Sequence, residues 1–528
     1  MAPILPQSVP GEALVVRGGR VFSLDGDVHA PPLRDLIVAG GRIVAVTAPG
    51  DPAVAAAVAD GARVLEAADR LVIPGFVNAH YHSYDVLAKG LLEDLPFDLW
   101  ALLSQPAYWG PRSAAELRLR TLVGGLECLK NGVTCVQDMN SLVPQDEATL
   151  DTILSAYAEL GIRVVFSCAV RDVAALDIAP FAPADAPEAV RAILAGKAGD
   201  AEADLAFVAA QIARLRPLPA TLHWAVSPSG PQRCGTRLLE GLSEIAAAHA
   251  LPVTTHVYET RAQLANARAR FPQHGGSLVR RLKDTGLLGS RTAIAHSVWI
   301  DRGEIDMLAA AGAAVVHNPM ANLKLKSGLA PLLDLRAAGV PVALGCDNCS
   351  CGDTQNMFQA VKLFALLAGG MDGLPTGVDA AAALRAGTLD GARAVGLAGE
   401  IGALAPGMRA DFALIDLSDI AWQPFNSAAR QLAYAECGRG VRDVVVEGRV
   451  VLRDGRAAGV DEIALRAELS ELMVAWRRDY DALRVRQEPA FPWLLAANRV
   501  LASAEHGIDR FIPRAPGDAR RPVEETAR

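Results

Sequence analysis

The chain has 528 residues, of which 51% are hydrophobic and 21% charged, with a formal net charge of −8. These values are ordinary for a globular enzyme, and with no long Lys/Arg-rich run they argue against a nucleic-acid or anionic-membrane partner. No apolar run approaches the roughly 20 residues that span a bilayer, and the start, MAPILPQSVPGEA, lacks the pattern of a secretory signal, so a cytoplasmic protein with reduced cysteines is expected.

In chain order, residues 1–70 read as short strands joined by turns: ALVVRGGRVFSL, RDLIVAGGRIVAV and ARVLEAADRLVI. The same texture returns in RADFALIDL and VRDVVVEGRVVLRDGR, within 405–460. One small β-sandwich built from both chain ends is the expected arrangement. Between them, over 71–404, apolar runs alternate with alanine- and leucine-rich helical stretches such as SAAELRLRTLVGGLECLKN. The runs are LVIPGFVNAHYH (71–82), GVTCVQDM (132–139), RVVFSCAV (163–170), ATLHWAVSP (220–228), LPVTTHVYE (251–259), TAIAHSV (292–298), AAVVHNP (313–319) and PVALGCDN (341–348). Eight βα units are the number that closes a (β/α)8 TIM barrel, an α/β fold. Residues 461–528 read as a helical extension ending in a frayed, charged tail.

Barrel chemistry sits at the C-terminal ends of the strands. His80 and His82 close the first run, and residues two apart on a strand point to the same side. His256, His296, His317 and Asp347 fall near the ends of the fifth to eighth runs, whereas His29, His249, His274 and His506 lie off the strand ends and His223 lies mid-strand. Imidazole nitrogen with carboxylate oxygen suits Zn(II) or Fe(II). Glu259, three residues after His256, is placed for proton shuttling beside an activated water.

With PGFVNAHYH, THVYET, AHSVWI, VVHNPMANLKLKSG, GVPVALGCDN and IGALAPGMRADFALIDL, the chain resembles the amidohydrolase superfamily. Within it, the resemblance is to the cytosine-deaminase-like branch of methylthioadenosine/S-adenosylhomocysteine deaminases, guanine deaminases and triazine hydrolases. The resemblance implies His80, His82, His256 and Asp347 as ligands of one divalent metal, Zn(II) or alternatively Fe(II). It implies Glu259 as proton shuttle, His296 as the group that polarises the water or the developing oxyanion, and Asp347 as acceptor of the first proton. Two-metal members carry a bridging lysine in the third or fourth strand, and neither RVVFSCAV nor ATLHWAVSP has one, so one metal is expected. The implied reaction is deamination of a nitrogen-containing heteroaromatic ring: an aminated purine, pterin, pyrimidine or triazine. The alternatives are loss of chloride or an alkylamine from a triazine, or amide or urea cleavage. A catalytically inactive scaffold should have lost ligands, which this chain has not. The family also implies a homodimer or higher homo-oligomer.

Substrate contacts follow the family less closely. Where nucleoside-deaminating members carry an acid after the first strand, this chain has Trp109, and Ser229 stands where they have a histidine after the fourth. The arginine-phenylalanine piece of guanine deaminases is absent. Candidate substrate contacts are Trp109, Arg171, Ser229, His317 and Asn322, with Trp100, Tyr108 and Trp299 as further aromatics. Cys349 and Cys351 in CDNCSC are expected in the pocket wall, and Asp353 and Asn356 as loop caps.

Overall fold

At Gly75 the chain passes from one sheet into another. The computed structural model describes residues 13–178, 186–195, 199–369 and 375–511, so the expected frayed tail lies outside the described residues. The run 71–82, expected as one barrel strand, is two: Arg70–Pro74 pairs antiparallel with Phe412–Asp416, and Phe76–His82 pairs parallel with Val133–Asn140. A Cβ on Gly75 would meet the Thr134 side chain at 2.0 Å, so only glycine allows this crossing.

The barrel strands are β1 (Phe76–His82), β2 (Val133–Asn140), β3 (Arg163–Val170), β4 (Leu222–Trp224, resuming at Ser227–Pro228), β5 (Val253–Val257), β6 (Thr292–His296), β7 (Ala314–His317) and β8 (Val342–Leu344, resuming at Asp347–Asn348). Neighbours are parallel throughout, a single bridge from Val226 to Val253 joins β4 to β5, and Asp347 against Tyr81 closes the ring. Every residue of β1 and β2 is buried, which is why these strands read as continuous apolar runs instead of alternating ones. Small side chains (Ala79, Ala225, Ala293, Ala314 and Ala343) help fill the interior below the mouth.

The outer sheet runs in the order Arg456–Ala457, Arg449–Arg453, Val441–Val446, Phe412–Asp416, Arg70–Pro74, Leu14–Val21, Leu33–Ala39, Arg42–Thr47, with Arg63–Glu66 also pairing Leu14–Val21. Val16, Leu36 and Val72 from one chain end pack with Phe412, Leu414 and Val445 from the other. The extension forms two helices, Glu462–Gln487 and Phe491–Ser503, the first capped by Asp461. They lie over the loop after β1: Trp476 stacks on Trp109 with centroids 4.9 Å apart, Arg486 donates to the Tyr108 carbonyl and Asn498 to Asp98. Among the described residues no helix is long and apolar enough to cross a membrane.

Barrel and outer sheet are joined by a buried ion cluster. Arg163, fully buried at the start of β3, donates to both Asp411 carboxylate oxygens at 2.7 and 2.9 Å, to Glu447 at 2.5 Å and to the Ala220 carbonyl at 2.6 Å. Removing one partner of such a cluster strands the others in a low dielectric. We expect Arg163→Met to destabilise the fold by about 3–5 kcal/mol, read as a lowered denaturation midpoint, and adding Asp411→Leu and Glu447→Leu to recover much of that loss.

Candidate metal centre

Strand periodicity turns His80 and His82 to the same side of β1, into the mouth, with ring centroids 4.7 Å apart. His256 on β5 and His296 at the end of β6 come to 4.8 and 5.5 Å from His80 by the same measure. His80, His82 and His256 offer donor atoms within 4.8 Å of one another, and so do His80, His296 and Asp347. Asp347 Oδ1 lies 3.5 Å from His80 Nε2 and 3.4 Å from His82 Nε2.

The tautomers follow from the carbonyls. His82 Nδ1 donates to Met139 O and His256 Nδ1 to Ser229 O, both at 2.6 Å, so each Nε2 keeps its lone pair and the two face each other at 3.3 Å. Both nitrogens of His80, which is fully buried, lack a hydrogen-bond partner. Buried polar atoms are rarely left so. Three converging imidazoles and a carboxylate, one imidazole otherwise unanswered, fit a divalent cation of the Zn(II) or Fe(II) type.

The electrostatics agree with this assignment. Burial lowers the His80 pKa to about 4 and, with His80 and His82 adding repulsion, that of His256 well below the usual value, so both are neutral donors. Burial also opposes charge on His82, but Asp347 outweighs it and holds that pKa above the usual value. Burial works against the Asp347 carboxylate too; His80 and His82 prevail and keep its pKa well below the ordinary range. Glu259, on the loop after β5, is pushed up to about 7 by burial, with His296 opposing and Asp347 adding to the shift. Its Oε2 lies 3.8 Å from His296 Nε2, which is 3.7 Å from Asp347 Oδ2. Two carboxyls held apart in this way, one ionised and one able to carry a proton near neutrality, are the arrangement that acid and base work requires.

The backbone is strained where these groups emerge. His296 and Asp347 have φ of +70° and +63°, in a region that side chains other than glycine's rarely occupy. Neighbouring turns hold the β6 end in place, with Ser297 N donating to Val257 O and Val298 N to Tyr258 O, both at 3.0 Å.

Apart from His80, which is buried beneath it, these groups line one cavity at the barrel mouth. Of the expected substrate contacts, the structure brings Ser229 and Trp100 into its wall. Trp109 is not there: its indole is sandwiched against Trp476 and Tyr480 and donates to Leu103 O at 3.0 Å. Arg171 is half-buried outside the lining, near enough to Arg233 to oppose its charge. Asn322 lies behind His296, whose Nδ1 donates to Asn322 Oδ1 at 2.9 Å, while the Asn322 amide nitrogen faces His317 Nδ1 at 3.5 Å. His317 is buried outside the lining, its pKa lowered to about 3 by burial first and His296 second. Trp299 donates to Ser327 O under the Arg261 guanidinium, a packing role. Cys349 and Cys351 are buried outside the lining, their thiol pKa values pushed well up by burial, so neither is a reactive thiolate. Asn356 caps Met357–Ala368 and Asp353 accepts from Gly90 N at 2.8 Å, as expected of loop caps.

The segment from Ser83 to Trp109, expected from the sequence to help choose the substrate, contributes Tyr84, Phe97, Trp100 and Gln105 to the wall, whereas sequence reasoning missed Asn348 and above all Arg233. The strand-end rule that located the histidines, extended five residues past β4 through the turn SGPQR, would have reached Arg233.

The family model described as Amidohydrolase family matches residues 71–451. The chain is 33% identical over 395 residues to a 5-methylthioadenosine/S-adenosylhomocysteine deaminase of Thermococcus onnurineus, covering 74% of this chain and 84% of that protein. It is 31% identical over 412 residues to a 5'-deoxyadenosine deaminase of Methanothermobacter thermautotrophicus, covering 76% and 87% of the two chains. A crystal structure of an adenosine deaminase from Xanthomonas campestris with bound zinc superposes with a TM-score of 0.74 at 28% identity, over 90% of this chain and all of that one. The extent of these matches, together with the barrel and its buried histidine-carboxylate cluster, establishes that the chain belongs to the amidohydrolase family.

Proposed function

We propose that the chain is an aminohydrolase that removes an amino group, as ammonia, from a carbon of a nitrogen-containing heteroaromatic ring. The observation that carries this reading is the enclosed meeting of Glu259, His296 and Asp347 with three neutral-capable imidazoles. His80, His82, His256 and Asp347 would hold one divalent cation, and the zinc in the Xanthomonas structure favours Zn(II). Such a cation supplies Lewis-acid activation of water, lowering its pKa toward neutrality.

The chain's own groups then divide the proton work. Asp347 accepts a proton as the water oxygen bonds to the ring carbon. Glu259, able to carry a proton near neutrality, gives it to the ring nitrogen; as the C–N bond breaks, the proton held by Asp347 passes to the departing amine and the hydroxyl proton on the ring carbon returns to Glu259, leaving a ring carbonyl and ammonia. His296, oriented by Asn322 and flanked by both carboxylates, donates from Nε2–H to the oxygen that gains charge when both of its ring nitrogens carry protons. Tyr84, Phe97 and Trp100 offer flat faces to a ring. The relatives named as deaminases of adenosine derivatives support a purine-type ring, within a class that also includes pterins, pyrimidines and triazines. The reading extends to a cytoplasmic homo-oligomer.

The test is ammonia release from the metal-loaded protein over a panel of aminated purines, pterins, pyrimidines and triazines. Consumption of a chlorinated or alkylamino ring with no ammonia from any aminated one would contradict the reading. Glu259→Gln should lower kcat by about 10²–10⁴-fold, the usual range for a proton-transfer group, with metal content unchanged. In Asn322→Ala the His296 ring loses its orienting acceptor, and kcat should fall by about tenfold with KM little altered, an effect of roughly one hydrogen bond.

A further inference from the structure

Arg233 is a buried charge for which the proton chemistry has no use. It ends the short turn Pro231–Arg233 past β4, and its backbone is pinned: its N donates to Gly230 O at 2.8 Å and its carbonyl accepts from Val173 N at 3.1 Å. The side chain is 9% exposed and faces the cavity shared with His82, Glu259 and His296. Its Nη1 donates to Ser229 Oγ at 3.2 Å and its guanidinium lies 5.8 Å from the Phe97 ring centroid. Nε is buried with no acceptor, and among the described residues no carboxylate pairs with this arginine.

Arg120 and Arg281 are also buried with an unpartnered Nε, but of these three only Arg233 lines the cavity with His82, Glu259 and His296. Arg163 meets two carboxylates and a carbonyl, so its charge is answered within the protein. The Glu259 carboxyl is near enough to favour the Arg233 charge, but a buried guanidinium whose side chain makes one hydrogen bond, to a neutral hydroxyl, is still costly unless something else supplies acceptors. Because Arg233 shares its cavity with Glu259 and His296, a substrate ring reaching those groups can supply the acceptors. The unused Nε and Nη2 donors form a planar fork, which matches an oxygen beside a second acceptor: a ring carbonyl next to a ring nitrogen, or a carboxylate.

We propose that Arg233 anchors the substrate through an oxygen acceptor carried on the reacting heteroaromatic ring, so that the chain selects aminated rings bearing such an oxygen over otherwise identical rings without one. This rests on the aminohydrolase reading above and names the substrate class within it. Ser229 contributes by fixing Nη1 and so the orientation of the fork.

The experiment compares wild type, Arg233→Met and Arg233→Lys on matched pairs: isocytosine against 2-aminopyrimidine, and guanine against 2-aminopurine. In wild type, kcat/KM should favour the oxygen-bearing member of a pair by about 100-fold, the scale of a hydrogen bond to a charged group. Arg233→Met should abolish that preference with metal content and circular dichroism unchanged, and Arg233→Lys, which keeps charge without the fork, should retain part of it. If Arg233→Met does not fold, Arg233→Lys against wild type decides by the same ratio. A preference that survives in the variants, or a wild type that favours the oxygen-free rings, overturns the proposal. If no ring releases ammonia the aminohydrolase reading fails, and calorimetric binding of pyrimidin-2-one, whose carbonyl lies beside an unprotonated ring nitrogen, and of pyrimidine-2-carboxylate then tests Arg233 by itself. Binding of either, weakened about 100-fold in Arg233→Met, supports the proposal and identifies the carbonyl or the carboxylate as the partner; equal binding in the variant, or none in wild type, overturns it.

Discussion

Six ionisable side chains, His80, His82, His256, Glu259, His296 and Asp347, gather at the barrel mouth with none more than 9% exposed. Polar groups so buried are tolerated only where each finds a partner. The surrounding structure supplies these in order. Backbone carbonyls of Met139 and Ser229 fix two imidazoles, Asn322 fixes a third, and Asp347 is held ionised by the imidazoles beside it. What remains unanswered is His80, and a cation would answer it. The parallel barrel makes this possible because strands closing in register deliver their last residues to one end, whatever their distance along the chain.

Strain at His296 and Asp347 belongs to the same account. Both residues have left-handed backbone where β6 ends and β8 resumes, and both side chains converge with His80 from β1. Such backbone persists only where the surroundings over-determine it. Here the β5–β6 turn bonds and the closing pair of β8 with β1 do so. The Arg163 cluster at the opposite end of β3 ties the same barrel to the outer sheet, so that both chain ends support the strands that carry the site.

Legibility in the sequence followed the length scale of the physics. Eight strands were legible because doubly buried parallel strands are apolar throughout and end in polar residues, and the histidines and Asp347 were legible because they are those ends. The break at Gly75 was not, since RLVIP and FVNAHYH are equally apolar and only the close approach of Thr134 separates them. Trp109 looked available to a ring because its partners, Trp476 and Tyr480, lie more than three hundred positions away in an extension with no local signal of where it packs. Asn322 and His317 were drawn toward substrate by position in a motif, whereas the structure brings them behind His296. Arg233 went unread because a loop has no periodicity to mark which of its residues turn inward.

The central claim is that the cluster is one cation site and not a set of buried histidines satisfied by each other. The most direct measurement is metal content of the purified chain by elemental analysis, beside His80→Ala and Asp347→Ala. The account predicts about one divalent ion per chain, removed by chelator and lost in both variants, as expected of a site with one set of ligands. About two ions per chain, or one that survives loss of either residue, would contradict it.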